Sequence, residues 1–254
     1  LIGRGKEKAL VVADLHLGVE GELEAKGVSL PSQTPKVLKK LLELVSRYRP
    51  ARLILLGDVK HNIPVASIQE WRELPSFFEK LAQHVRVEVI PGNHDGDLAG
   101  MLPKGVVLHS AKGVVIGKRT LVGLAHGHAW PAPELFRTKT LVLAHNHPAI
   151  EFRDALGGRI IEPVWLKLRI HTRKLPPEVR KAITAQPPDV IVMPAFGELV
   201  SGAPVNQKMP EELIGPLFKS GALKIDDAQL YLLDGTYLGT VKLLRKLLAR
   251  PHDF

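Results

Sequence analysis

Cysteine is absent from the 254-residue chain. Neither a disulfide framework nor thiolate metal ligation is therefore open to it, and any metal has to be held by His, Asp, Asn or water. That donor set suits hard or borderline divalent ions such as Mn, Fe, Zn, Mg, Co or Ni. No run of about 18 apolar residues occurs and no charged-then-apolar segment opens the sequence, so a soluble cytoplasmic protein is expected. Asn and Gln are scarce while Pro, Leu, Lys, Arg and Glu are plentiful, a balance associated with heat-adapted, thermophile proteins. Also missing is a contiguous Lys/Arg block interleaved with aromatics, although the formal net charge of +9 favours polyanions such as nucleic acid. A generally basic protein with solvated Lys and Arg faces would carry the same charge. No repeat, low-complexity tract or linker interrupts the chain, and 45% apolar content is enough for a full core. A single domain over 1–254 is expected.

What the chain does contain is a series of short apolar runs. Residues 8–13, 52–56 and 86–90 are too short for helices, and helical patterns lie between them. Strand, helix, strand, helix, strand is the pattern of a parallel sheet covered on both faces. Residues 17–30 read as a loop with a short helical piece. One helix is expected over 34–48, with Thr34 as N-cap, Pro35 at the first helical position and Pro50 as the stop. Another is expected over 67–85, in two pieces because Pro75 interrupts it and Ser76 can cap the second. From Leu98 the texture changes to short strands over 105–109, 112–116, 119–124, 138–143 and 158–170, with Pro163 suggesting an edge or a bend. These predict a second, mostly antiparallel sheet packed on the first. A short helix over 176–185, a strand over 190–193, a loop over 196–206 and a hairpin on the Asp234-Gly235 turn, with arms 229–233 and 237–244, complete the chain.

Five of the apolar runs end in metal-ligand residue types: Asp14-Leu15-His16, Gly57-Asp58, Gly92-Asn93-His94-Asp95, His126-Gly127-His128 and His145-Asn146-His147. Seven of the eleven histidines fall in or beside these motifs, which chance explains poorly. In an open parallel sheet the ligand lies outside the carboxyl ends of the strands, where these motifs stand. Two divalent ions about 3.5 to 4 Å apart need a bridging carboxylate, further ligands on each side and an open edge for water and substrate. Asp58 is the expected bridge. Asp14, His16 and His147 would complete one ion, and Asn93, His126 and His145 the other. A water shared between the ions would ionise near neutral pH and attack phosphorus in line. His94 suits a general acid for the leaving oxygen, with Asp95 orienting or charging its imidazole. His61 could contact a phosphate oxygen or assist the same protonation. His128 could support a ligand or make a loop hydrogen bond. His84, His109, His171 and His252 have no partner motif and are expected to be structural or at the surface.

In order and spacing, Asp14-x-His16, Gly57-Asp58, Gly92-Asn93-His94-Asp95, His126 and His145-x-His147-Pro148 resemble the calcineurin-like metallophosphoesterase family. The resemblance covers residues 8 to about 148. It implies a four-layer α/β/β/α sandwich, a two-metal centre with the ligand roles given above, most often manganese, and hydrolysis of phosphate mono- or diesters. His61, three residues after Asp58, is similar to a His that assists phosphodiester cleavage in the SbcD-related nuclease branch. Gly57-Asp58-Val59-Lys60-His61 and Pro194-Ala195-Phe196 are similar to archaeal members of that branch. One departure is Ala144, where the family usually has Gly. The branch implies a nucleic-acid substrate and an ATPase partner of the DNA-repair type, yet the roughly 80 residues after Leu175 are few for a DNA-binding cap as well; a homodimer is left open by the sequence. Two other readings stand beside the nuclease: a phosphoesterase for nucleotides or cyclic phosphodiesters, and a non-catalytic scaffold, whose mark would be missing ligands. Substrate choice is expected to lie in 19–32, 63–70 and 196–206.

Overall fold

The computed structural model describes residues 1–154, 156–200, 202–207 and 215–248. His252 and Ser201 lie outside the described residues. Strands β1 (Ala9–Val12), β2 (Arg52–Leu56), β3 (Arg86–Ile90) and β4 (Val107–Leu108) form a four-stranded parallel sheet in that order. Helices α1 (Val19–Ala25) and α2 (Thr34–Tyr48) link β1 to β2, and α3 (Ile68–Ala82) links β2 to β3. The second sheet contains β5 (Val114–Ile116), β6 (Val122–Leu124), β7 (Thr140–Leu143), β8 (Pro148–Arg153), β9 (Arg159–Arg169), β10 (Asp189–Val192) and β11 (Ala203–Pro204). Its path is β11-β8-β9-β10-β7-β6-β5, and the hairpin of β12 (Gln229–Leu232) and β13 (Tyr237–Thr240) joins it through β9. Three short helices, α4 (Pro177–Ala182), α5 (Pro216–Lys219) and α6 (Val241–Leu248), belong to this half.

The alternation of side chains within each strand builds the layers. Leu10, Val12, Leu53, Leu55, Val87 and Val89 turn outward onto Val37, Leu41 and Val45 of α2 and Leu74, Phe77, Phe78 and Leu81 of α3. Ala9, Val11, Ala13, Ile54, Leu56 and Ile90 turn inward and meet Ile116, Val122, Leu124, Val142 and Ala144 of the second sheet. The outer face of that sheet, including Val164, Leu166, Leu168 and Val190, packs on Val179 of α4, Leu217 of α5 and Val241 of α6. The result is the expected α/β/β/α sandwich. Ala144 is fully buried between the sheets, where its methyl group packs. No helix among the described residues is long and apolar enough to cross a membrane.

Several local expectations need correction. Helix α3 is continuous through Pro75 rather than split. A capping box from Ser67 and Glu70 closes its start, and its buried Leu, Phe, Phe, Leu face outweighs the ~3 kcal/mol that an internal proline costs. The carbonyl that Pro75 leaves without an N–H partner is that of Trp71, a residue 45% exposed, so water can replace the lost donor. In α2, Thr34 is the first helical residue and not the cap; Gln33 holds the N-cap position without a side-chain cap bond, and the Thr34 N–H donates to Ser32 Oγ at 3.2 Å. Strand β4 pairs with β3 in the first sheet instead of joining the second. The second arm of the C-terminal hairpin stops at Thr240, where α6 begins. Pro163 sits within the long β9, paired with Ala149 of β8 just beyond the last β12 pair at Val164. Only one side of the strand has a partner there, so no ladder bond is lost.

Candidate metal centre

The carboxyl ends of β1, β2 and β3 in the first sheet and of β6 and β7 in the second lie together at one edge of the sandwich. Asp14 follows β1, Asp58 follows β2 and Asn93-His94 follows β3, while His126 follows β6 and His145 and His147 follow β7. Backbone hydrogen bonds from Phe196 and Gly197 to the carbonyls of Ala13 and Asp14, 2.9 and 3.1 Å, tie the chain after β10 to the end of β1. The two sheets approach here as closely as glycine allows. A Cβ on Gly57, whose φ is +79°, would lie 2.1 Å from His126 Cδ2.

Strand ends that turn abruptly require unusual backbone. Among the described residues six non-glycine positions have positive φ, and five of them are Asp14, His16, Asp58, His145 and His147, at +54, +47, +48, +70 and +41°. The sixth, Arg49, ends α2 as a left-handed cap. Such conformations cost about 1 to 3 kcal/mol each and persist where the surroundings over-determine them, which happens most at functional sites.

The side chains converge. His126 Nε2 lies 2.9 Å from Asp14 Oδ1 and 3.5 Å from Asp58 Oδ2. His16 Nε2 is 3.6 Å from Asp58 Oδ2 and 3.4 Å from His147 Nε2, which in turn is 3.4 Å from Asp14 Oδ1. Donor atoms of Asp14, His16, Asp58 and His147 lie within 4.8 Å of one another, and so do those of Asp58, His126 and His145. Asp58 is common to both groups. All six of these residues are buried.

Burial pushes the His16 imidazole down to about 2, and the neighbouring His147 adds to it. Burial, and then the neighbouring His126, takes His145 down to about 3. Burial would raise the Asp14 carboxyl, but hydrogen bonds with His126 and His147 outweigh it and hold the group well below the usual range. His126 moves the other way: burial disfavours its charge, yet the Asp58 and Asp14 carboxylates raise it. The neutral His16 and His145 imidazoles and the ionised Asp14 carboxylate thus offer lone pairs within one cluster, which is what a divalent cation requires. The buried His145 Nδ1 has no hydrogen-bond partner, an orphan of the kind that a metal ion satisfies. The donor set therefore fits divalent metal.

Asn93 is exposed in the turn after β3. Beside it, the His94 N–H donates to Asp58 Oδ1 at 3.0 Å, and His94 Nδ1 meets the carbonyl oxygen of His61. The expected pairing of Asp95 with the His94 imidazole is not what orients that ring. Asp95 Oδ1 accepts from the N–H groups of Val59 and Lys60 at 2.9 and 3.2 Å, and Oδ2 from Gly92 at 2.8 Å. Its carboxylate stitches the loop after β2 to the loop after β3, and burial raises its pKa to about 6. His61 Nδ1 stands 3.2 Å from His16 Nδ1, and its Nε2 stands 2.6 Å from Glu22 Oε2. His128 Nδ1 contacts His126 Nδ1 at 3.0 Å, which leaves His126 Nε2 aimed at Asp14. Burial, and then His126, lowers His128 to about 4.

A profile described as Calcineurin-like phosphoesterase matches residues 8–192. The chain belongs to the calcineurin-like phosphoesterase family. As a member of it the protein is a metal-dependent hydrolase. Among solved structures it is similar to the nuclease MPE of Pseudomonas putida, at 22% identity and a TM-score of 0.55 over 91% of this chain and 88% of that one. It is also similar to Yfce, a phosphoesterase from E. coli, at 22% identity and a TM-score of 0.38 over 58% of this chain and 74% of that one. The first likeness is one of fold.

Two acidic residues around this calcineurin-like centre, Glu70 and Glu22, carry no sequence signal of a role there. Glu70 accepts from the N–H groups of His61 and Asn62, both at 2.9 Å, and from Ser67 at 2.6 Å. The Ser67-x-x-Glu70 spacing announces a capping box, but nothing local shows that the same carboxylate holds the segment carrying His61. Glu22, on α1, reaches His61 only because the chain folds back.

Proposed function

We propose that the protein hydrolyses phosphodiesters with two divalent ions, most often manganese, one held by Asp14, His16, Asp58 and His147 and the other by Asp58, Asn93, His126 and His145. The observation that carries this reading is the pair of convergent donor groups that share Asp58. When bound, such a pair of ions supplies Lewis acidity toward phosphoryl oxygens and lowers the pKa of a water molecule. The chain's own residues then have separate tasks. His94 is the general acid. A carbonyl oxygen only accepts, so its contact with the His61 carbonyl keeps a proton on His94 Nδ1 and leaves Nε2 to carry and deliver the proton for the leaving oxygen. His61, tethered by Glu22 and Glu70, stands beside His16 and contacts the ester. Asp95 is a positioning residue that fixes the two loops bearing Asp58 and His94.

Nucleic acid is the substrate we favour, as in the SbcD-related branch, with the net charge of +9 and the position of His61 in support. An ATPase partner of the DNA-repair type goes with that reading. The second reading, small phosphodiesters, is favoured by a partly open cavity of about 320 Å³ beside His147.

The deciding experiment is manganese-dependent hydrolysis of bis-p-nitrophenyl phosphate, p-nitrophenyl phosphate and labelled single- and double-stranded DNA, with Asp58→Ala as control. DNA cleavage that vanishes in the control supports the nuclease. Cleavage of the small diester alone supports the second reading. No hydrolysis by metal-loaded protein would overturn both.

A further inference from the structure

Strand β9 presents two faces along its length. Val164, Leu166 and Leu168 enter the core beneath the outer helices, whereas Trp165 packs against the core between the sheets. By the same period of two, Pro163 and Ile161 continue the Trp165 face. Both line the cavity of about 320 Å³ together with Pro148, Phe196 and Leu233. Ile161 is 48% exposed and Leu233 60% exposed. Apolar side chains gathered at a cleft mouth gain free energy only when something covers them.

What covers them is indicated by the other wall. His147 lines the cavity and is also a member of the Asp14, His16, Asp58, His147 donor group, so the cavity adjoins the centre through that side chain. At the rim Lys40 Nζ stands 4.5 Å from the centroid of the Phe196 ring and 3.4 Å from Glu198 Oε1. A volume of about 320 Å³ is at the lower end of the ~300–1,000 Å³ typical of small-ligand sites. It accommodates one organic substituent of a phosphoester, not a duplex.

We propose that this cavity is the subsite for the group retained on phosphorus, and that it takes a nucleoside, whose base offers a flat apolar face to the Ile161, Pro163 and Leu233 wall. The proposal rests on the phosphodiesterase reading above. His94 serves the leaving oxygen, and the His147 side receives the substituent that stays. Substrate choice then depends on Ile161 and Leu233, which lie outside the loops expected to control it, as well as on Phe196.

The test compares thymidine 5′-(p-nitrophenyl phosphate) with methyl p-nitrophenyl phosphate, which share a leaving group and differ only in the retained one. Wild-type protein should prefer the thymidine ester. Ile161→Ser and Leu233→Ser, both at exposed positions that tolerate a polar residue, should each reduce that preference ratio roughly tenfold, the order expected for losing one apolar contact. The change should fall on KM. Binding of thymidine 5′-monophosphate, measured by isothermal titration, should weaken by a similar factor. An unchanged ratio, or unchanged nucleotide binding, in both variants overturns the subsite and leaves the phosphodiesterase reading standing. Failure of wild-type protein to hydrolyse either ester overturns that reading and the subsite with it.

Discussion

Gly92 lies so close to Asp58 that a β-carbon on it would sit 2.0 Å from Asp58 Oδ1 and 2.5 Å from the Asp58 nitrogen. Its φ is not positive, so the need for glycine comes from this approach and not from backbone conformation. Four residues on, a Cβ on Gly96 would meet nothing within 4 Å. Gly92→Ala should therefore displace Asp58 and lower the bound-metal stoichiometry, at an overpacking cost of about 1–3 kcal/mol. Gly96→Ala should leave the metal content alone. Elemental analysis of the two variants after loading and desalting checks the contrast, and full metal content in Gly92→Ala would refute it.

The division of labour between Asp58 and His94 gives a second expectation. His94→Ala should lose about 10² to 10⁴ in kcat, the usual worth of a general acid, while retaining both metals. Asp58→Ala should lose metal as well as activity. Equal metal loss in both variants would sink the general-acid assignment.

Away from the centre, Glu88 is buried on β3 and faces His109 Nε2 at 2.9 Å, Arg86 Nε at 3.0 Å and Arg52 at 3.5 Å. Burial alone would raise its pKa, but the His109 hydrogen bond and the two guanidinium charges outweigh it and hold the carboxyl below the usual range. A carboxyl with a depressed folded pKa contributes stability that is complete above its unfolded value, about 4.3, and is lost as pH falls through the folded value. Urea unfolding should show wild-type stability declining more steeply below pH 4.3 than that of Glu88→Gln. At pH 7 the variant should be weaker by about 1.5–3 kcal/mol, the worth of a hydrogen bond to a charged group. Parallel pH profiles would count against the network.

Helix α3 carries its proline at a net cost. Pro75→Ala should restore the hydrogen bond to the Trp71 carbonyl and remove a clash worth ~3 kcal/mol, less the ~0.4–1 kcal/mol of unfolded-state entropy that proline removes. Thermal unfolding should show a raised midpoint. A lowered one would mean that packing around the ring matters more than the helix bond.

Strands β1, β2 and β3 are legible because each is a short, mainly apolar run buried on both faces, and the donor residues because each sits at the end of such a run. The continuity of α3 was not legible. Proline signals a break locally, and what overrides it is the burial of Leu74, Phe77, Phe78 and Leu81 against the first sheet, which local pattern does not show. Strand β4 is two residues long and carries no signal of the sheet it joins. Sequence pairs Asp95 with its neighbour His94, since adjacency is visible there and the N–H groups of Val59 and Lys60 are not.

By itself the sequence determined which chemistry is possible: without cysteine and with Asp, Asn and His at five strand ends, only oxygen and nitrogen donors can hold a metal. Tertiary structure decided how those donors are grouped. The sharing of Asp58, the tethering of His61 by Glu22 and Glu70, and the cavity between β9 and Phe196 all depend on distances between residues far apart in the chain. Local pattern reports only on neighbours within a turn of helix or a pleat of strand. Contacts across two packed sheets are set by the layers as a whole.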